Sequence, residues 1–179
     1  MSPTLLSTRL KGMEENGLIT REENTKSGNI DYKITDVGHE LSPIVFALGK
    51  WAHKNVDANV TLQKLDAQLL MWNVRRKIDA SKLPKVKTII QFIFPELSKE
   101  KRNYWLIAKP GFSVDLCTKD PGFDVDLCVT ADLKALTSVW LGLSEMQSEI
   151  GQDKIILLGD KEIAATINSW MIRSLFAKT

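Results

Sequence analysis

Residues 110–130 read PGFSVDLCTKDPGFDVDLCVT, and this stretch decides how the second half of the chain is read. Its two copies, PGFSVDLC (110–117) and PGFDVDLC (121–128), match at every position but one. Each is rich in Val, Phe and Leu and is opened by Pro-Gly, which is how short strands are punctuated. The copies are expected to be adjacent strands of one hairpin turning at Asp120-Pro121-Gly122. In the second copy, alternation sets Phe123, Val125, Leu127 and Val129 on one face and Asp124, Asp126, Cys128 and Thr130 on the other. One face is apolar and the other is wet.

Working outward, Val86 to Phe94 and Tyr104 to Ala108 are strand-like runs of the same kind, joined by Phe112 to Cys117 and Phe123 to Thr130. Helical spacing follows from Ala131 to Leu141 and around Glu145 to Ile150, then Ile155 to Leu158 reads as a short strand. Asp160 can cap a terminal helix bearing Ile163, Ile167, Trp170 and Met171. Upstream, a helix from Leu62 is expected to carry Leu62, Leu65, Leu69 and Trp72 on one stripe. Arg75, Arg76 and Lys77 end it, where cations suit the helix dipole, and Pro84 stops it from running on. Consecutive strands pair antiparallel, so this part reads as an α+β domain with a mostly antiparallel sheet.

The front of the chain has a different pattern. Ser2-Pro3 reads as an N-cap with proline at the first helical position, followed by Leu5, Leu6, Leu10 and Met13 and a stop near Asn16-Gly17. Leu18 to Arg21 and Ile30 to Ile34 form a hairpin around a polar stretch. Thr35 then caps a helix whose apolar positions Val37, Leu41, Ile44, Leu48 and Trp51 are spaced 4, 3, 4, 3, the period of a helix that pairs with another helix. Residues 54–60 carry little apolar pattern and read as a linker, which divides the chain into residues 1–56 and 57–179.

Composition bounds the function. The chain has 179 residues, 44% hydrophobic and 26% charged, and no apolar run long enough to span a bilayer. No secretory signal is visible at the start, and Cys117 and Cys128 form neither a metal spacing nor a disulfide framework, so a cytoplasmic protein is expected. Charge is segregated: residues 57–102 hold ten basic and five acidic side chains, whereas residues 1–56 hold seven of each. A neutral front third argues against strong DNA affinity, which comes chiefly from phosphate neutralisation.

Two functional readings compete with blander ones. The exposed positions of the first helix, Thr4, Ser7, Thr8 and Lys11 with Arg9 nearby, offer hydroxyl and cationic groups of the kind that contact phosphates and base edges, and Lys26 and Asn29 on the hairpin extend them. A solvated helix face is the plainer account of the same residues. In the second part Phe92, Phe94, Trp105, Ile107, Phe112, Val125, Leu127, Leu136, Trp140, Ile167, Trp170 and Met171 are candidates to line an apolar compartment. A filled core has the same pattern. Only His39 and His53 are available for acid–base work, and no HExxH, GxSxG, Walker or GxGxxG pattern occurs, so neither an enzyme nor a cofactor is expected. Asp115, Asp124, Asp126 and Asp132 lack a metal-loop pattern, so no metal is expected either.

Ser2-Pro3-Thr4-Leu5-Leu6-Ser7-Thr8-Arg9-Leu10, Leu18-Ile19-Thr20-Arg21, Tyr32-Lys33-Ile34-Thr35 and Gly38 together resemble the HxlR family of winged helix-turn-helix transcriptional regulators. The resemblance implies a recognition helix, two wing strands and the start of a dimer-forming helix. Thr4, Ser7, Thr8 and Lys11 then inherit the DNA-facing role, and Val37 to Trp51 inherits dimerisation. The family's helices ahead of the recognition helix have no counterpart before Met1, so the module is expected to be incomplete. Leu5, Leu6 and Leu10 would then need a partner's cover worth roughly 1.5 to 3 kcal/mol per large side chain. The N-terminal cysteine of the family's redox sensors is missing, so that route is not expected. Val125 to Leu133, Val139-Trp140-Leu141-Gly142 and Ile155 to Asp160 resemble the sterol carrier protein fold. That resemblance implies a five-stranded sheet with helices around an apolar tunnel for lipid-like ligands. Two functions are implied: a homodimeric regulator that responds to an apolar molecule, or a lipid-type carrier whose front end only dimerises.

Overall fold

The computed structural model describes residues 2–23, 28–56, 62, 63 and 65–177. Lys26 and residues 57–60 of the expected linker lie outside them. The chain forms two compact units, Met1–Asn55 and Val56–Thr179.

In the first unit α1 spans Pro3–Glu15, with Ser2 Oγ accepting from the Leu5 amide at 3.3 Å and Pro3 in the first turn. It ends at Asn16, where the Leu18 amide folds back onto the Met13 carbonyl at 2.9 Å. Strands β1 (Ile19–Glu23) and β2 (Ile30–Ile34) pair antiparallel with Ile19 opposite Ile34. Thr35 knits the hairpin to the next helix. Its hydroxyl donates to the Gly17 carbonyl at 2.6 Å and accepts from the Gly38 amide at 3.1 Å, while its own amide donates to the Leu18 carbonyl. The helix expected to run unbroken from 36 to 51 is two: α2 (Asp36–Glu40) and α3 (Ser42–Asn55). Pro43 is the cause, because it has no amide hydrogen to continue the hydrogen-bond ladder of α2.

The second unit opens with α4 (Ala67–Lys77), capped by Asp66, whose carboxylate accepts from the Leu69 amide at 2.9 Å. Five strands follow: β3 (Thr88–Ile93), β4 (Asn103–Ala108), β5 (Asp115–Cys117), β6 (Leu127–Ala131) and β7 (Ile155–Gly159). Between β6 and β7 lie α5 (Leu133–Trp140) and α6 (Met146–Gly151), and after β7 come α7 (Lys161–Ala165) and α8 (Ile167–Trp170). The sheet order is β5-β4-β3-β6-β7, antiparallel except for the parallel pair β3 and β6. This is the α+β architecture expected.

Two expectations fail here. The copies at 110–117 and 121–128 are not neighbours: β5 pairs with β4, β6 pairs with β3, and two strands separate them. A hairpin turning at Pro121 would set Leu116 opposite Asp126, and so put Leu116 and Leu127 on opposite faces. In the fold both leucines serve one core. Asp126 is exposed, as its place on the wet face predicts, and it also holds β6 to β3: its amide donates to the Ile89 carbonyl at 2.9 Å and its carboxylate accepts from the Ile89 amide at 2.7 Å. The second failure is the stripe on α4. Ala67, Leu70, Met71 and Val74 are buried, while Leu69 and Trp72 stand 60% and 50% exposed.

Candidate functional site

The first candidate surface is α1. It buries none of its residues, and Thr4, Ser7, Thr8, Arg9 and Lys11 are all exposed along it. The Thr8 hydroxyl is turned inward, donating to the Thr4 carbonyl at 3.0 Å, and Lys11 lies 3.7 Å from Glu15 one turn on. Both arrangements are surface interactions that a phosphate would displace at little cost. Asn29 is exposed on the approach to β2. On the hairpin, Lys33 forms an ion pair with Glu22 that raises its pKa first by hydrogen bonding and then by charge, so it stays cationic. Gly38 is required where it stands, because a Cβ there would lie 2.2 Å from the Leu18 carbonyl oxygen.

The second surface in this unit is apolar. Val37, Leu41, Ile44, Leu48 and Trp51 are all exposed, Ile44 to 64% and Trp51 to 60%.

The twelve residues expected to line one compartment are divided by the sheet. Phe92, Phe94, Leu127, Leu136, Trp140, Ile167, Trp170 and Met171 belong to a single buried cluster on the helical side. Trp105 and Ile107 lie on the opposite face with Ile89, because their parity on β4 is opposite to that of Tyr104 and Leu106. Phe112 and Val125 are exposed, the first to 73%, since the strands expected to carry them begin only at Asp115 and Leu127.

What the helices do leave open is a groove between α4, α5 and the chain's last residues. One stretch of about 460 Å³ is lined by Asn73, Arg76, Lys77, Trp140, Leu141 and Ser174 to Phe176. A smaller stretch of about 160 Å³ shares Asn73, Trp140 and Leu141 and continues past Leu65, Leu69, Leu70 and Thr137 to Asp66. Together they reach the size of ordinary small-molecule sites. Trp140 is the one predicted lining residue in it. Residues 170–174 are tied in place by the Ser174 amide donating to the Trp140 carbonyl at 2.9 Å, by the Asp79 amide donating to the Trp170 carbonyl at 2.8 Å, and by the indole of Trp170 donating to the Ile163 carbonyl at 2.8 Å. The floor is apolar and one end is cationic. Burial, together with the charge of Asp66, raises the pKa of Tyr104, which therefore stays neutral in the core. The signal for this groove was present in the sequence as the stripe containing Leu65 and Leu69, of which Leu65 is half-buried and Leu69 exposed.

Among the described residues no group of three or more His, Cys, Asp or Glu is placed to hold a metal, and no helix is long and apolar enough to cross a membrane.

A capped helix, a two-stranded hairpin and a further pair of helices in that order match the partial winged helix expected of the front unit. Residues 1–60, a third of the chain, match the HxlR-like helix-turn-helix family. No curated protein matches the chain. Among solved structures, a double mutant of the sec-alkyl sulfatase PisA1 is similar with a TM-score of 0.48 and 17% identity, over 62% of this chain and 17% of that one. A second alkylsulfatase structure, from Pseudomonas sp., is spanned over 15% of its length. Sterol carrier protein 2 like 2 from Aedes aegypti gives 0.41 and 18%, over 56% of this chain and 91% of its own. The sterol carrier protein domain 2 of Helicoverpa armigera gives 0.42 and 17%, over 60% and 88%.

Proposed function

We propose that this chain is a cytoplasmic, homodimeric transcriptional regulator, without catalytic activity, that binds DNA through α1 and the wing and responds to an apolar small molecule held by the second unit. The observation that carries the reading is the polar, solvent-facing surface of α1 within the segment that matches the HxlR-like family. Thr4, Ser7, Thr8, Arg9 and Lys11 would contact DNA, with Asn29 and Lys26 on the wing. The exposed apolar row from Val37 to Trp51 would pair two copies. The groove beside Trp140 would take the apolar molecule, its cationic end at Arg76 and Lys77 suiting an acidic head group.

A gel shift with DNA from upstream of the chain's own gene, at stated salt, tests the DNA role. Retardation that Arg9→Ala and Lys11→Ala weaken supports it; no retardation by wild-type protein refutes it. Uptake of a fluorescent fatty acid, lost in Trp140→Ala, tests the groove.

One observation favours a second reading. The basic excess lies in residues 57–102 and not in the front unit. On that reading the protein is a carrier of apolar molecules whose front unit only dimerises, and it would take up the fatty acid while ignoring DNA.

A further inference from the structure

We infer that one corner of the second unit docks on a bilayer that carries anionic phospholipid. The corner is the loop between β4 and β5 together with the segment that leads into β3. Two clefts flank that loop and both reach Ala80: one of about 350 Å³ lined in part by Lys85, Lys109 and Val86, the other of about 340 Å³ lined in part by Arg75, Arg76 and Phe112. Neither lining includes an acidic residue. The nearest carboxylates in sequence are Asp79 and Asp115. Asp79 keeps its charge while accepting from the Ser81 amide at 3.0 Å and the Ser81 hydroxyl at 2.6 Å, and Asp115 starts β5, so the cations Arg75, Arg76, Lys85 and Lys109 outnumber them.

The tips of this cationic corner are apolar. Phe112 sits on a tight turn whose amide donates to the Lys109 carbonyl at 3.1 Å, and it is 73% exposed, with Val86 at 65%. Water is a poor solvent for both side chains, and neither folding nor the flanking clefts cover them. Lysine and arginine beside exposed aromatic and aliphatic tips match the two layers of a membrane interface. The tips enter the acyl boundary while the cations stay at the level of the phosphates. A DNA backbone would satisfy the charges and leave Phe112 and Val86 in water, so the bilayer is the better complement.

The test is co-sedimentation of the full-length protein with vesicles of phosphatidylcholine alone and of phosphatidylcholine mixed with phosphatidylserine. The protein should pellet with the mixed vesicles only, and added salt should release it. Phe112→Ser, Lys85→Glu and Lys109→Glu should each lower the bound fraction by roughly tenfold, while Ile156→Ser, on exposed β7 surface, should not. Phe112 is exposed, so its serine variant should fold as the wild type does, and Phe112→Trp should keep binding. No sedimentation, sedimentation insensitive to these substitutions, or retardation of an oligonucleotide with the same residue dependence overturns the inference. Because no apolar probe is used, this result and the fatty-acid result are read separately.

Discussion

At the scale of single residues, two glycines fix the close approaches on which both units depend. Gly159 has φ of 135° and a Cβ there would come within 2.3 Å of the Asp126 carbonyl oxygen, which already accepts from the Asp160 amide. Backbone cannot yield as a side chain can, so Gly159→Ala should destabilise the protein by at least about 1 to 3 kcal/mol, the range for overpacking. Gly38→Ala should disturb the front unit in the same way, and a fall in the urea midpoint with unchanged slope checks the Gly159 case. A second prediction concerns pH. The Glu145 carboxyl is held below its ordinary pKa by hydrogen bonding and charge from Arg173, which ties the chain's last residues to α6. A lowered carboxyl pKa adds stability above the ordinary carboxylate range and loses it as pH falls through the folded value. The difference in melting temperature between wild type and Glu145→Gln should therefore be greatest near neutral pH and vanish in acid. Caps such as Ser2, Thr35 and Asp160 were legible in the sequence because each acts within three residues of itself. The clasp of Asp126 on Ile89 was not, since it spans 37 positions and depends on the sheet order.

Elements are legible to the extent that their own period decides them. Both hairpin strands of the front unit stand where periodicity puts them, whereas the single helix expected after β7 is two, Lys161–Ala165 and Ile167–Trp170, with Met171 beyond the second. The register of α4 also departs from it, because Leu62, Leu65, Leu69 and Trp72 form as good a helical stripe as Ala67, Leu70, Met71 and Val74. The choice falls to the Asp66 cap, which starts the helix five residues after Leu62, and to the sheet that the buried stripe covers. Met71→Ala should consequently cost about 2 to 5 kcal/mol, while Trp72→Ser should change stability by less than about 1 kcal/mol. Equal losses in chemical denaturation would contradict this assignment of faces. Repeats mislead for a related reason: near-identical segments at 110–117 and 121–128 encode the same strand preference but not which partner each strand takes. The candidate compartment shared that weakness. Apolar spacing marks burial, and it cannot say on which side of a sheet a residue such as Trp105 is buried.

On the scale of the whole molecule, the two units differ sharply in how much they bury. The second has a continuous cluster of buried side chains from Ala67 to Met171, including Phe92, Phe94, Leu136 and Trp170. Among the described residues of the first, Ile19 is the only buried hydrophobic side chain, while Leu5, Leu6, Met13, Ile44, Leu48 and Trp51 are at least two-fifths exposed. About 55 residues with so little burial cannot offset their conformational entropy alone. Cover must therefore come from outside the unit, and a second copy across the α2 and α3 row is the source we propose. Binding that covers the folded unit but not the unfolded chain makes stability depend on concentration. Hydrogen exchange should thus show two classes of protection: amides of β3, β4 and β6 independent of protein concentration, and amides of α1, α2 and α3 protected more strongly as concentration rises. Leu48→Glu should abolish that rise and halve the mass seen by sedimentation, leaving the sheet amides unchanged. Protection of α1 to α3 that is strong in dilute protein and indifferent to Leu48→Glu would mean that another surface covers them, and the pairing role of this row would fall.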